Sequence, residues 1–276
     1  MFLYSWVPGA MVFILGTVIG SFLNVVIYRT GSGAGLRGRS KCLSCGKVLT
    51  VAMLIPLFSY LFQGGRCAYC GAKLSVQYPL VEAASGLLFL FVWWVDRFDP
   101  VVSNVPEMLA YLFDTAAWSL LLVIITYDLY HKIILDRFSA IFALLAGVTL
   151  FLKWRFGLLT PEFLPVFGIY TSPWLDLFAG PLIMLPFTLL WFLSGGRAMG
   201  LGDAKLAFGL GWFLGLSGGI SAVIFAFWTA FFPSLFLLLL PRKRFTMKSE
   251  IPFAPFLVLG SMIVFFLGVD MFTWAF

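Results

Sequence analysis

Eight apolar, nearly uncharged runs dominate the 276-residue chain, at roughly 7–28, 80–95, 107–127, 138–155, 176–194, 203–217, 219–240 and 253–273. A helix needs about 20 mostly apolar residues to cross the hydrocarbon layer. Most of the runs meet that length, and the two shorter ones, 80–95 and 203–217, rely on flanking aromatic residues or partial exposure. Only 11% of residues are charged and 62% are hydrophobic, whereas about a quarter of a soluble domain is charged. The chain lacks the charge to cover a water-facing surface, and its runs exclude a collagenous, disordered or small disulfide-rich protein. The expected fold is an all-α polytopic membrane protein with about eight transmembrane helices. The first run has no Lys or Arg before Arg29, so it reads as a retained span rather than a cleaved signal.

Orientation follows from the basic residues. With the N-terminus outside, 15 of the 18 Lys and Arg residues fall inside: Arg29, Arg37, Arg39, Lys41, Lys47, Arg66, Lys73, Lys132, Arg137, Arg197, Lys205, Arg242, Lys243, Arg244 and Lys248. Arg97, Lys153 and Arg155 fall outside. The positive-inside rule therefore predicts both termini outside the cytoplasmic membrane. The net charge of +6 reflects this bias and suits lipid headgroups, not nucleic acid.

Residues 29–79 form the one long stretch expected outside the bilayer, and they hold all four cysteines, Cys42, Cys45, Cys67 and Cys70. Both pairs read Cys-x-x-Cys-Gly, with 21 residues between them. Two such knuckles make a tetrahedral sulfur site suited to structural zinc. A cytoplasmic location disfavours the alternative of two disulfides. The intervening apolar segment 51–62, interrupted by Pro56, is expected to lie at the membrane surface. The domains are thus 1–28, a first span; 29–79, a zinc-ribbon-like insertion; 80–106, a second span and outer loop; and 107–276, a six-helix unit.

Carboxylates near hydrocarbon are costly and invite a functional reading. Asp96, Asp99, Glu107, Asp114, Glu162, Asp176 and Asp270 fall toward the outer side, where solvated surface is the expectation. Glu250 lies in a basic loop, and Glu82, just inside the second span, is expected to pair with a basic residue of the cysteine segment. Asp128 ends the run Leu120–Tyr127, and Asp203 lies in Met199-Gly-Leu-Gly-Asp-Ala-Lys205. Both fall at the cytoplasmic side. Two close carboxylates share a proton and can activate water while protonating a leaving group, which is aspartic protease chemistry. Asp136 is the poorer partner, because eight helical residues span about 12 Å unless the helix breaks between. Gly200 and Gly202 permit close backbone approach to a peptide or, equally, close helix packing. Lys205 reads as a charge partner of Asp203 or as a membrane anchor.

Several separated segments, in order, resemble one family. They are Gly20-Ser-Phe-Leu-Asn-Val-Val-Ile-Tyr-Arg29, the paired knuckles, Tyr78-Pro-Leu-Val-Glu82, Asp128 with Asp136, Gly200-Leu-Gly-Asp-Ala-Lys205, and Ile251-Pro-Phe-Ala-Pro-Phe256. Together they resemble the type IV prepilin peptidases, membrane aspartic proteases of the bacterial inner membrane. The resemblance implies that Asp128 and Asp203 are catalytic, with Gly200, Gly202, Lys205 and Asp136 in support. It implies as substrates prepilins and type II secretion pseudopilins, whose basic leader is removed after Gly. It also implies N-methylation of the new N-terminus with S-adenosylmethionine, for which Asn24, Arg29 and Glu82 are candidate binding residues. The chain departs from the family pattern at Leu135, where Pro is common. The competing readings are a zinc-ribbon membrane scaffold, which tolerates loss of either aspartate, and an ion-coupled transporter, which needs acids near the midplane.

Overall fold

Each apolar run becomes helix, because a helix satisfies every backbone polar group internally where no water can. The computed structural model describes residues 3–31, 35–96, 104–157, 159, 163–164, 169–170, 173–197, 199–239 and 252–274. Asp99, Glu162, Glu250, Arg97 and the basic residues 242–248 lie outside the described residues. The chain divides into two units, Met1–Ser103 and Asn104–Phe276.

In the first unit, α1 (Leu3–Arg29) packs along α3 (Gln77–Asp96). The seam is made of small residues: a Cβ at Gly16 would stand 2.8 Å from the Gly86 Cα, and one at Gly20 2.8 Å from the Glu82 Cα. Side chains there would force the helices apart. Between them come the two knuckles, a 3-10 turn at Val51–Leu54 and the short α2 (Phe58–Phe62). Val51, Ile55, Phe58, Leu61 and Phe62 are all exposed, Phe62 at 87%. The Leu57 N–H donates to Glu82 Oε2 (2.8 Å), so this apolar segment is held about 8 Å along α3 from its start. That depth suits an interfacial segment. Glu82 thus binds a backbone amide and the Ser21 hydroxyl, not the expected basic residue, because the segment folds back onto α3.

The second unit holds α4 (Val105–His131), α5 (Asp136–Arg155), α6 (Pro173–Ser194), α7 (Leu201–Leu239), α8 (Ala254–Leu267) and the short α9 (Met271–Trp274). An antiparallel pair, β1 (Phe163–Leu164) with β2 (Ile169–Tyr170), supplies the only strands among the described residues. Among the described residues, six helices are long and apolar enough to cross a membrane, and α8 is a shorter apolar one. One of the six, α7, is two spans. Gly215, at φ 76° and ψ −178°, breaks it, and a Cβ on Gly219 would lie 3.3 Å from the Gly211 Cα. Those residues would be about 12 Å apart along a straight helix, so the chain doubles back. The runs expected at 203–217 and 219–240 are therefore its two arms, and eight apolar helical segments result. The run expected at 253–273 is interrupted after Leu267, where Gly268 caps α8 at φ 63°.

The core of this unit is aromatic. Trp118 on α4 meets Phe213 on α7 and both Phe265 and Phe266 on α8, with ring centroids 4.8–5.7 Å apart. Three acids expected to be solvated are instead engaged. Asp114 is fully buried and bonded to Lys153 of α5 (3.0 Å). Asp176 accepts the Leu216 N–H (3.0 Å) freed by the break in α7, and Asp270 accepts the hydroxyls of Ser217 and Ser221. Asp176 and Asp270 satisfy polar groups near the break in α7, which lipid cannot do, whereas Asp114 pairs with a cation of the neighbouring helix.

Candidate active site and metal centre

The last turn of α4 carries Asp128, and the helix stops four residues later because Lys132 takes the left-handed conformation (φ 54°). The chain turns and restarts at Asp136, so the break that would have brought Asp136 nearer does occur. Asp136 is nonetheless claimed by Lys205, at 2.7 Å. This pair ties the start of α5 to the start of α7, and with it the helical turn that bears Asp203. The same helical turn packs tightly on the α4–α5 connection: a Cβ at Gly202 would stand 2.8 Å from Ile134 Cβ. Gly202 therefore serves close packing, while the Gly200 N–H donates to the Asp203 carboxylate.

Asp128 is only 3% exposed and accepts the N–H of Ala254, the first residue of α8, while its Oδ2 has no hydrogen-bond partner. Asp203, half-buried in the first turn of α7, lies within electrostatic reach of Asp128. Two carboxylates 75 residues apart in sequence are thus brought together, each fixed by one backbone amide at a helix start. The contribution of Ala254 is not visible in the sequence; Pro255 at the beginning of α8 is its sole signal. His131 packs on Tyr127 (ring centroids 4.3 Å) and is exposed.

Two substitutions separate these roles. Gly202→Ala is expected to cost roughly 1–3 kcal/mol of stability through the clash with Ile134, seen as a lowered melting temperature. Lys205→Ala removes an exposed ion pair of the kind worth about 0–1 kcal/mol, so its melting temperature should stay close to that of the parent.

The two knuckles are near copies. Cys42 N–H donates to the Lys47 carbonyl and Gly46 N–H to the Cys42 carbonyl, and Cys67, Ala72 and Gly71 repeat the pattern, all at 2.8–2.9 Å. Gly46 and Gly71 adopt φ 70° and 69°, which a Cβ would strain. The four cysteines are free of disulfides, their sulfurs lie within 4.8 Å of one another, and Cys42 and Cys70 are 3.9 Å apart. Zn–S bonds of about 2.3 Å in a tetrahedron require sulfurs about 3.8 Å apart. The donor set therefore fits zinc in kind and size. Amides of Cys45 and Ser44 lower the Cys42 thiol to about 6. The Ala72 amide favours the Cys70 thiolate, but desolvation and the three neighbouring sulfurs push it up to about 11. Four thiolates together need a cation.

Asn24, Arg29 and Glu82 line one cavity of about 790 Å³ in the first unit, with Ser21, Tyr28 and Tyr78, which the sequence reading missed. Arg29 donates to the carbonyls of Gly35, Leu36 and Arg37 at 2.9–3.1 Å, so it shapes the 35–37 loop that walls the cavity.

The family model for the bacterial peptidase A24 N-terminal domain matches residues 14–95. A prepilin leader peptidase/N-methyltransferase of Klebsiella pneumoniae is 31% identical over 225 residues, covering 77% of this chain and 87% of that protein. The chain belongs to the prepilin leader peptidase/N-methyltransferase family. A second such protein, from Bacillus subtilis, is 28% identical over 272 residues, 94% of each chain. That of Myxococcus xanthus is 33% identical over 78% of this chain, which spans only 58% of the Myxococcus protein. No solved structure gives a significant match. Within this family of prepilin leader peptidase/N-methyltransferases, the matched domain model covers the knuckles and the cavity, and the Klebsiella alignment is long enough to run beyond it.

Proposed function

We propose that this protein is a membrane-embedded aspartic endopeptidase of the bacterial inner membrane. It removes the basic leader of type IV prepilins or type II secretion pseudopilins at the cytoplasmic face, after Gly, and then N-methylates the new N-terminus. The observation that carries this reading is that Asp128, at the end of α4 and bonded to the first amide of α8, lies within electrostatic reach of Asp203 in the first turn of α7. One carboxylate takes a proton from water, whose oxygen attacks the scissile carbonyl carbon. The other aspartate, as the protonated carboxylic acid of the pair, gives its proton to the amide nitrogen as the C–N bond breaks. The substrate's apolar helix lies in the bilayer among the spans and presents its scissile bond at the interface.

Zinc, held by Cys42, Cys45, Cys67 and Cys70, has no open position in such a site and serves the fold of the insertion. S-adenosylmethionine, which supplies the methyl group, is assigned to the cavity of Asn24, Arg29 and Glu82, whose volume lies in the range of about 300–1,000 Å³ usual for small-molecule sites. Both acids sit in terminal helical turns, where a relay near the midplane, as a transporter needs, is not formed. Expression in a bacterium stripped of its own prepilin peptidase, with several prepilins bearing intact leaders, tests the reading. Shortened pilins on an immunoblot are expected. Accumulation of every prepilin at full length, with the protein present in the membrane, would reject it.

A further inference from the structure

The inner wall of the 790 Å³ cavity is built from hydrogen-bond acceptors. Glu82, 7% exposed, accepts from the Leu57 amide and the Ser21 hydroxyl. A carboxylate offers about four lone-pair sites, so capacity remains. Asn24, 2% exposed, donates through Nδ2 to the Tyr78 carbonyl (3.1 Å), which fixes the orientation of its amide. Its Oδ1 is left buried without a partner. A buried acceptor in that state is costly and calls for a donor. Tyr28 and Tyr78, stacked with centroids 5.1 Å apart, extend the wall and offer electron-rich rings. Arg37, Arg39, Lys41 and Lys73 also line the cavity, and all four are exposed.

We infer that this wall binds the α-ammonium of the methyl donor's amino-acid end, with Asn24 and Glu82 as its specificity residues. The inference rests on the methyltransferase reading above and adds the orientation of the donor within the site. An ammonium answers both demands at once, N–H donors for Asn24 Oδ1 and positive charge for Glu82, beside aromatic rings that attract cations. A sulfonium carries the charge but has no N–H. An adenine amino group has the N–H but leaves Glu82 uncompensated. The basic edge suits a carboxylate, which the donor's amino-acid end carries next to its ammonium and the amino terminus of a cleaved pilin does not.

The test is binding, measured by calorimetry on the full chain in nanodiscs. The ligands are S-adenosylhomocysteine, which keeps the ammonium without the sulfonium, and its des-amino analogue, which keeps only the carboxylate. The parent protein should bind the des-amino compound at least about tenfold more weakly, in line with loss of a charge-assisted hydrogen bond. Glu82→Gln and Asn24→Leu should weaken S-adenosylhomocysteine by a similar factor and leave the des-amino compound unchanged, so that the preference disappears. Retained binding of the des-amino compound shows that a variant has kept its fold. Equal affinity of the parent for both ligands would overturn the inference, as would variants that keep the full preference. Variants that weaken a free-amine pilin peptide and spare its acetylated form, with S-adenosylhomocysteine binding untouched, would also overturn it and give the wall to the methyl acceptor. A parent that binds neither S-adenosylmethionine nor S-adenosylhomocysteine would instead reject the methyltransferase reading itself.

Discussion

Asp128→Asn and Asp203→Asn are each expected to cut leader removal by at least about 10²–10⁴-fold, the range supplied by a positioned acid or base, while the protein still inserts and purifies as the parent does. The asparagine keeps the shape of the carboxylate and its ability to accept a hydrogen bond. At position 128 the Ala254 amide, and at 203 the Gly200 amide, therefore retain a partner. What is lost is the capacity to take up and release a proton. Because the two groups act on one water, the double variant should be little worse than either single one, a non-additivity that two independent structural sites would not show. Asp136→Asn is the contrasting case. Its carboxylate pairs with Lys205 at the surface, so its loss should reduce cleavage only several-fold. The readout is the initial rate of leader removal from one prepilin under identical detergent conditions.

The second large effect concerns the knuckles. Cys42→Ser should reduce bound zinc from one equivalent to a small fraction, measured by atomic emission on the purified protein, and should open residues 40–75 to proteolysis. Zinc in small structural sites supplies folding free energy directly, and the described residues of this segment contain only short helical turns to hold it otherwise. Cys42 and Cys67 are the buried pair and also line the cavity. Methyl transfer and binding of S-adenosylhomocysteine should therefore fail together with zinc. Leader cleavage, whose carboxylates belong to the second unit, should fall much less. Acid should act like the substitution, since protons compete with metal for thiolates. Purified protein with four reduced cysteines and no zinc would refute the metal assignment.

These effects also show which features sequence alone can carry. The spans were legible because hydropathy is a local property, and even the two arms of α7 separate by a single glycine. The cysteine centre was legible for a similar reason: each knuckle is a six-residue device, and the device occurs twice. Asp128 and Asp203 stood out because each interrupts an apolar run at the same end. Asp114, Asp176 and Asp270 did not reveal their roles, because their partners are tertiary. Asp114 finds Lys153 one helix later, Asp176 reaches the amide freed at the Gly215 break, and Asp270 meets Ser217 and Ser221, 53 and 49 residues earlier in the chain. No spacing rule links these residues. Glu82 was likewise placed in the correct helix but given the wrong partner, since nothing local indicates that the segment around Leu57 folds back onto α3. The backbone amide of Ala254 was marked only by Pro255 at the start of α8.

The central claim is tested most directly by the mass of the substrate. Purified protein in bilayer is mixed with a prepilin carrying its full leader, with and without S-adenosylmethionine, and the products are weighed intact. The account predicts loss of the leader mass at the Gly bond by the parent, no loss with Asp128→Asn or Asp203→Asn, and one further methyl increment only when the donor is present. An unchanged prepilin mass with the well-inserted parent protein, or normal cleavage by either asparagine variant, would contradict it.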